Sequence, residues 1–289
     1  MATPRTLPFE QEAHQPSGQG FRAALVGMYT LWYRDLIRFF RDRTRIIGSF
    51  AQPLLFLVIF GSGLSPAIGQ IGGPQSGVDY GEFIFPGIIA MAVLFTAVFS
   101  SVSIIWDREF GFLREVLVAP IPRWSLAIGK ALGGSTTALI QGVLMLIFAP
   151  LVGVGLSVVG VLELLPLLFI TAFSLSAFGL LIAARMRSME GFQLIMNFLM
   201  MPMFFLSGAF FPLSNLPGWL TVLTRINPFT YSVDAIRKVV LGDAASEITT
   251  QYGLSLFGVT MTPLLDMLVV LAFGLVMIAF AVVAFNRQD

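Results

Sequence analysis

The sequence predicts an all-α polytopic membrane protein of six transmembrane helices. An N-terminal amphipathic elbow helix, a cytoplasmic charged helix and external re-entrant helices complete the expected architecture. Three observations predict it. The 289 residues are 56% hydrophobic and only 11% charged, whereas soluble domains carry about 25% charged residues. The uncharged stretches 46–78, 83–106, 131–162, 164–184, 191–224 and 267–286 each reach the roughly 20 residues that cross a ~30 Å hydrocarbon core as helix. The alternation of a barrel strand is absent, and backbone groups that cannot go unpaired in lipid make helices the economical choice.

Spans are expected at about 46–66, 83–105, 129–154, 162–184, 192–211 and 264–285. Fourteen of the seventeen Lys and Arg fall on one side of that arrangement. The other side holds only Arg225, Arg237 and Lys238. Excess Lys and Arg mark the cytoplasmic side, so both termini are expected there, as an even number of spans requires. The chain has no cysteine, and His14 is its only histidine. A disulfide framework and a His/Cys metal or haem site are thereby excluded. The Pro- and Gly-containing residues 1–20 lack the apolar core of a signal peptide and read as a disordered cytoplasmic tail, ahead of a transmembrane domain over 21–289.

Residues 21–45 follow a helical period. Phe21, Leu25, Met28, Trp32, Leu36 and Phe39 share one face, and Arg34, Arg38, Arg41 and Arg45 another. That pattern suits a helix lying in the headgroup layer. Between spans two and three stands a charged island from Trp106 to Trp124. Nothing from Asp107 to Val118 breaks a helix except Gly111, and Pro120 and Pro122 stop it. A helix over 107–120 would present Phe110, Leu113 and Leu117 on one face, rimmed by Arg108, Glu109, Arg114 and Glu115. Such a handle, with no engine in the chain, points to a driving partner.

The external segment 212–241 carries Pro212, Pro217, Asn227 and Pro228, with Trp219, Phe229 and Tyr231 suited to an interface. It reads as short helices broken at prolines and partly re-entrant. Polar residues inside the spans are mild. Gln193 and Asn197 are the pathway candidates, because an amide facing lipid is costly. Phe95, Phe99, Phe204, Phe205, Phe210 and Phe211 are gate candidates. Gly129 and Gly133 form a small-xxx-small pair suited to close helix approach. Glu163 and Asp266 lie at span ends, where solvent is expected to reach them. An ionisable residue at depth, which a proton-coupled carrier needs, is not evident.

The run Arg108-Glu109-Phe-Gly111-Phe-Leu113-Arg114-Glu115-Val-Leu117-Val-Ala-Pro120-Ile-Pro-Arg123, followed by Gly129-Lys130, resembles the signature of ABC-2-type transporter permeases. Leu206-Ser207-Gly208 to Phe211-Pro212, then Leu216-Pro217-Gly218-Trp219, Asn227-Pro228-Phe-Thr230-Tyr231, Asp234 and Arg237 are similar to that family's fifth-span end and external helices. The likeness is greatest to the compact drug-resistance and nodulation-type branch.

The resemblance implies the permease half of an ATP-driven exporter in the cell membrane, paired with a second copy or a similar permease. Island residues Arg108, Glu109, Gly111, Leu113, Arg114, Glu115, Leu117 and Pro120 would contact two ATP-binding subunits. The external motif would comprise Pro212, Pro217, Asn227, Pro228, Tyr231 and Arg237. The phosphate-binding pattern G-x-x-x-x-G-K-[ST] does not occur, so ATP and Mg are expected on the partner and no cofactor or metal on this chain. The expected cargo is amphipathic or hydrophobic. A polysaccharide or glycolipid cargo, a passive channel and a membrane enzyme are the alternatives.

Overall fold

A computed structural model describes residues 17–71, 78–111, 122–213, 216–242, 254–256 and 259–286. Helix α1 covers Ser17–Arg41, α2 Arg43–Phe56, α3 Ser65–Ile68, α4 Tyr80–Ser100, α5 Val102–Glu109 and α6 Arg123–Met145. Helix α7 covers Val158–Arg185, α8 Met189–Phe205, α9 Gly218–Ile226, α10 Pro228–Leu241 and α11 Pro263–Asn286. A two-stranded antiparallel ladder, β1 (Ser255–Leu256) with β2 (Val259–Thr260), precedes α11. Residues 1–16 of the expected tail lie outside the described residues; α1 itself begins at Ser17.

Among the described residues, five helical segments are long and apolar enough to cross a membrane: Ile46–Ile68, Tyr80–Glu109, Arg123–Val152, Val158–Arg185 and Pro263–Asn286. The expectation of six is corrected at 192–211. There α8 has 17 residues, about 25 Å of helix against ~30 Å of hydrocarbon. Pro202 leaves one bond of the ladder unmade within the last turn, and the chain turns away shortly after the helix end, at Gly208, with φ +73. Helix α8 still joins the two ends of the bundle. It starts where Trp106 Nε1 reaches Met189 Sδ at 3.0 Å and finishes with Phe204 against Phe210.

Helix α4 is the hub, buried along most of its length. Its start is set by Glu82, whose carboxylate accepts the Asp79 N–H at 3.1 Å, one half of a capping box. Helices α7 and α11 pack most extensively on each other. A Cβ added at Gly274 would sit 2.9 Å from Ser174 Cα, and Ser174 Oγ donates to the Val270 carbonyl at 2.8 Å. Lipid removes the hydrophobic drive between helices, so such close packing and interhelical bonds carry the association. The first span is peripheral and irregular. Pro53 lies inside α2, and Leu57–Leu64 relaxes into a π-helix, the adjustment expected where the ladder is interrupted. Ser157 caps α7 and Ser188 caps α8, each accepting from the backbone N–H three residues on.

The other architectural expectations are also corrected. No free-lying elbow helix is seen. Helix α1 docks along α6, where a Cβ at Gly129 would lie 2.9 Å from the Met28 carbonyl oxygen and one at Gly133 3.0 Å from Asp35 Cβ. Its docked face is Ala24, Met28, Leu31 and Asp35, while Phe21 and Leu25 of the expected apolar face are exposed. Among the described residues no coupling helix is identified. Helix α5 ends at Glu109, and Gly111 takes φ +78. Residues 112–121, with Leu113, Arg114, Glu115, Leu117 and Pro120, lie outside the described residues. No clear re-entrant pair is identified either: α10 is built into the bundle as core, packed against α4, α7 and α11, with α9 on its edge.

Candidate functional site

The charged groups near the ends of the bundle form two buried networks. At one end, Asp107 of α5 accepts from Arg34 Nη2 of α1 at 2.5 Å and from Lys130 Nζ of α6 at 2.8 Å. Lys130 Nζ also reaches Asp35 Oδ1 at 3.1 Å and donates to Ser103 Oγ at 3.0 Å. Arg34 lies 3.5 Å from Asp35. Two carboxylates and two cations therefore tie α1, α5 and α6 together. The Lys130 side chain is only 3% exposed, so each charge depends on its partners rather than on water.

The next residue extends the tie. Arg108 donates to the Met186 carbonyl and, at 2.8 Å, to that of Ala184, fastening the end of α5 to the turn between α7 and α8. Arg38 of α1 stacks over Trp106 at 5.3 Å. Arg123 donates to the carbonyls of Phe285 and Asn286 at 3.1 and 2.9 Å, bringing the end of α11 to the same end of the bundle. Of the island residues, Asp107 and Arg108 are thus held inside the fold. Glu109 and Phe110 are exposed, and Gly111 is half-buried.

At the opposite end, Lys238 of α10 pairs with Asp234. It also reaches Asp266 of α11 at 2.8 Å and the Met261 carbonyl at 2.7 Å. Asp266 is fully buried, which corrects the expectation of a solvated span end: Lys238 replaces water. Arg237 donates to the Gly208 carbonyl at 2.7 Å and lies 4.0 Å over the Phe83 ring. Burial pushes its guanidinium down to about 10, against the pull of the Asp234 carboxylate, so it stays charged at neutral pH.

The rest of the external motif is a joint. Pro217 precedes α9, and Pro228 opens α10, a position where its missing N–H costs nothing. Asn227 Oδ1 accepts the Phe229 N–H at 3.1 Å, while its Nδ2 donates to the Met203 carbonyl at 2.7 Å. Tyr231 donates to the Arg225 carbonyl at 2.7 Å. Burial and the Asp266 carboxylate raise the Tyr231 pKa, with Arg225 opposing. Pro212 lies half-buried on the turn after Phe211.

The aromatic candidates separate into two groups. Phe95 and Phe99 stack at 6.3 Å, and Phe99 meets Phe192 edge-on at 6.4 Å. Phe204 is buried and packs against Phe210 at 5.2 Å and Phe205 at 5.6 Å. Phe56 and Phe60 of the first span join this second group through Phe210, at 5.6 and 5.1 Å. They went unnoticed in the sequence because nothing there pairs the first span with the end of α8. Phe211 is half-buried on the turn.

Gln193 and Asn197 are exposed together on α8, beside Leu194, Phe198, Met201 and Phe205. Two amides on an open face of an otherwise apolar helix are costly against hydrocarbon. Among the described residues nothing covers this face.

Comparison with known proteins places these features. The model of the ABC-2 type transporter family matches residues 27–241. The chain is 28% identical over 245 residues to the transport permease ycf38 of Cyanophora paradoxa, covering 84% of each chain. It is 27% identical over 210 residues to nodulation protein J of Rhizobium meliloti, covering 72% of this chain and 78% of that one. The inner membrane transport permease YadH of Escherichia coli is 28% identical over 239 residues, covering 79% of this chain and 88% of its own. A match over most of the chain, on a bundle with several helices long and apolar enough to cross a membrane, identifies a polytopic membrane protein, a permease subunit belonging to the ABC-2 type transporter family.

Proposed function

We propose that this chain forms the pathway of an ATP-driven exporter for amphipathic or hydrophobic compounds, working as two permease copies on two ATP-binding subunits. The open face of α8 carries this reading. Gln193 and Asn197 suit a second copy or a cargo better than lipid, and the exposed Phe198 and Phe205 beside them suit an apolar cargo. With the Phe95–Phe99–Phe192 group behind it, the face offers stacking surface and no charge.

Power would enter at the segment from Arg108 to Pro120. Glu109, Gly111, Leu113, Arg114, Glu115, Leu117 and Pro120 form the contact with the ATPase, and Arg108 transmits its movement to the turn between α7 and α8. ATP binding would close the ATPase pair and shift access from the cytoplasm or inner leaflet to the outside. Residues 21–289 act as one transmembrane domain with both termini cytoplasmic. The excess of Lys and Arg on that side supports the orientation, as does the contact of Arg123 with the end of α11.

The native chain has no cysteine, so single cysteines report pairing directly. Oxidising membranes that carry Asn197→Cys should give a disulfide-linked dimer, while Leu275→Cys, exposed on α11, should not. A monomer in both cases would refute the α8 pairing.

A further inference from the structure

Between α1 and α2 the chain passes from charge to hydrocarbon within a few residues. Arg38 and Arg41 are exposed on the last turn of α1, and the first apolar span begins at Ile46. Basic residues at such an entry stand at headgroup depth. Arg34, Ile37, Arg38, Arg41 and Asp42 line an open groove there. Asp42 is the only carboxylate of that lining. Arg34 is engaged by Asp107, and Arg38 is steadied on the Trp106 ring.

Next to the groove, and deeper, lies a cavity of about 360 Å³, within the ~300–1,000 Å³ of small-molecule sites. Phe39 follows Arg38 in the chain and forms its lip. Phe95 and Phe99 of α4 and Gly48 and Pro53 of α2 give it apolar walls, and Ser49, Gln52 and Thr96 add a few polar atoms. Ser49 Oγ donates to Gln141 Oε1 at 3.0 Å. Gln141 is fully buried, and its Nε2 has no hydrogen-bond partner among the described residues.

We infer that the groove and cavity together bind an anionic phospholipid of the inner leaflet, its phosphate against Arg38 and Arg41 and its acyl chain against Phe39, Phe95 and Phe99. Charge complementarity selects the head, and the depth of the cavity below Ile46 selects a chain. The site shares Phe95 and Phe99 with the wall behind the α8 face, but its test reads lipid retention alone, so its outcome is separate from those of pairing and of transport.

Native mass spectrometry of the full chain in detergent tests it, with phosphatidylglycerol and phosphatidylcholine of matched chains as probes. The wild type should retain phosphatidylglycerol about thirtyfold better, the factor two arginines give at the usual strength of a basic residue near an anionic leaflet. R38Q/R41Q should abolish the preference and R38K/R41K keep most of it. Gly48→Leu should lower phosphatidylglycerol retention by filling the cavity. A Cβ there meets nothing within 4 Å, and the change raises helix propensity, so the variant remains folded. Three outcomes would overturn the inference: equal retention of the two lipids, an unchanged preference in R38Q/R41Q, or glycerol phosphate competing as well as the lipid.

Discussion

Replacing Lys130 by methionine keeps the length of the side chain and removes its charge. Lys130 contacts Asp35 at 3.1 Å, Asp107 at 2.8 Å and Ser103 at 3.0 Å, with its own side chain 3% exposed. Breaking a buried ion pair from one side costs about 3–5 kcal/mol, because the remaining charge is stranded. Here Arg34 still reaches both carboxylates, so the lower end, about 3 kcal/mol, applies. At roughly 2–4 °C per kcal/mol for chains of this size, the thermal midpoint of the detergent-purified chain should fall by roughly 6–12 °C, read by fluorescence-detected size exclusion. Adding Asp107→Asn should restore at least about 1 kcal/mol relative to the sum of the single changes, the mark of directly coupled residues. A fall below about 2 °C, the scale of an ordinary surface substitution, would refute the network. So would strict additivity.

Further substitutions probe other joints. Gly129→Leu places a side chain against the Met28 backbone and should cost about 1–3 kcal/mol by overpacking, seen as faster trypsin cleavage at Arg34 when α1 lifts. Asn227→Ala removes the cap of α10 and the bond to Met203. About 2 kcal/mol of stability should be lost, seen as a lower thermal midpoint. Arg108→Gln frees the carbonyls of Ala184 and Met186. It should weaken stimulation of the partner ATPase while membrane insertion, measured by fractionation, is unchanged.

The apolar runs were legible in the sequence because a membrane helix needs little beyond length and hydropathy. The count failed at α8, where Pro202 and the turn at Gly208 shorten a run that composition alone extends to 211. The Gly129–Gly133 spacing indicated close approach but not that α1 would be the helix to fill it. The helical period suits α1 to the membrane surface, since its arginines form a stripe. Asp35, off the arginine stripe and facing α6, and Lys130 at the head of an apolar helix are the available signals that opposite charges meet there. Asp107 sits among sequence neighbours that share its polarity and so fits an exposed handle, yet tertiary pairing buries it. Asp266 was missed for the same reason, its partner Lys238 standing 28 residues away. Gln193 and Asn197 were legible as candidates from cost alone, and the structure places both on the same open face.

The most direct test of an exporter permease driven from outside its own chain is transport in proteoliposomes that hold this chain together with its ATP-binding subunit. The expected result is ATP-dependent movement of a fluorescent lipophilic probe, ATPase stimulation by lipophilic compounds, and loss of both with Glu109→Ala/Leu113→Ala although the protein still inserts. Flux that persists without ATP, or stimulation by polar oligosaccharides and none by lipophilic compounds, would contradict it.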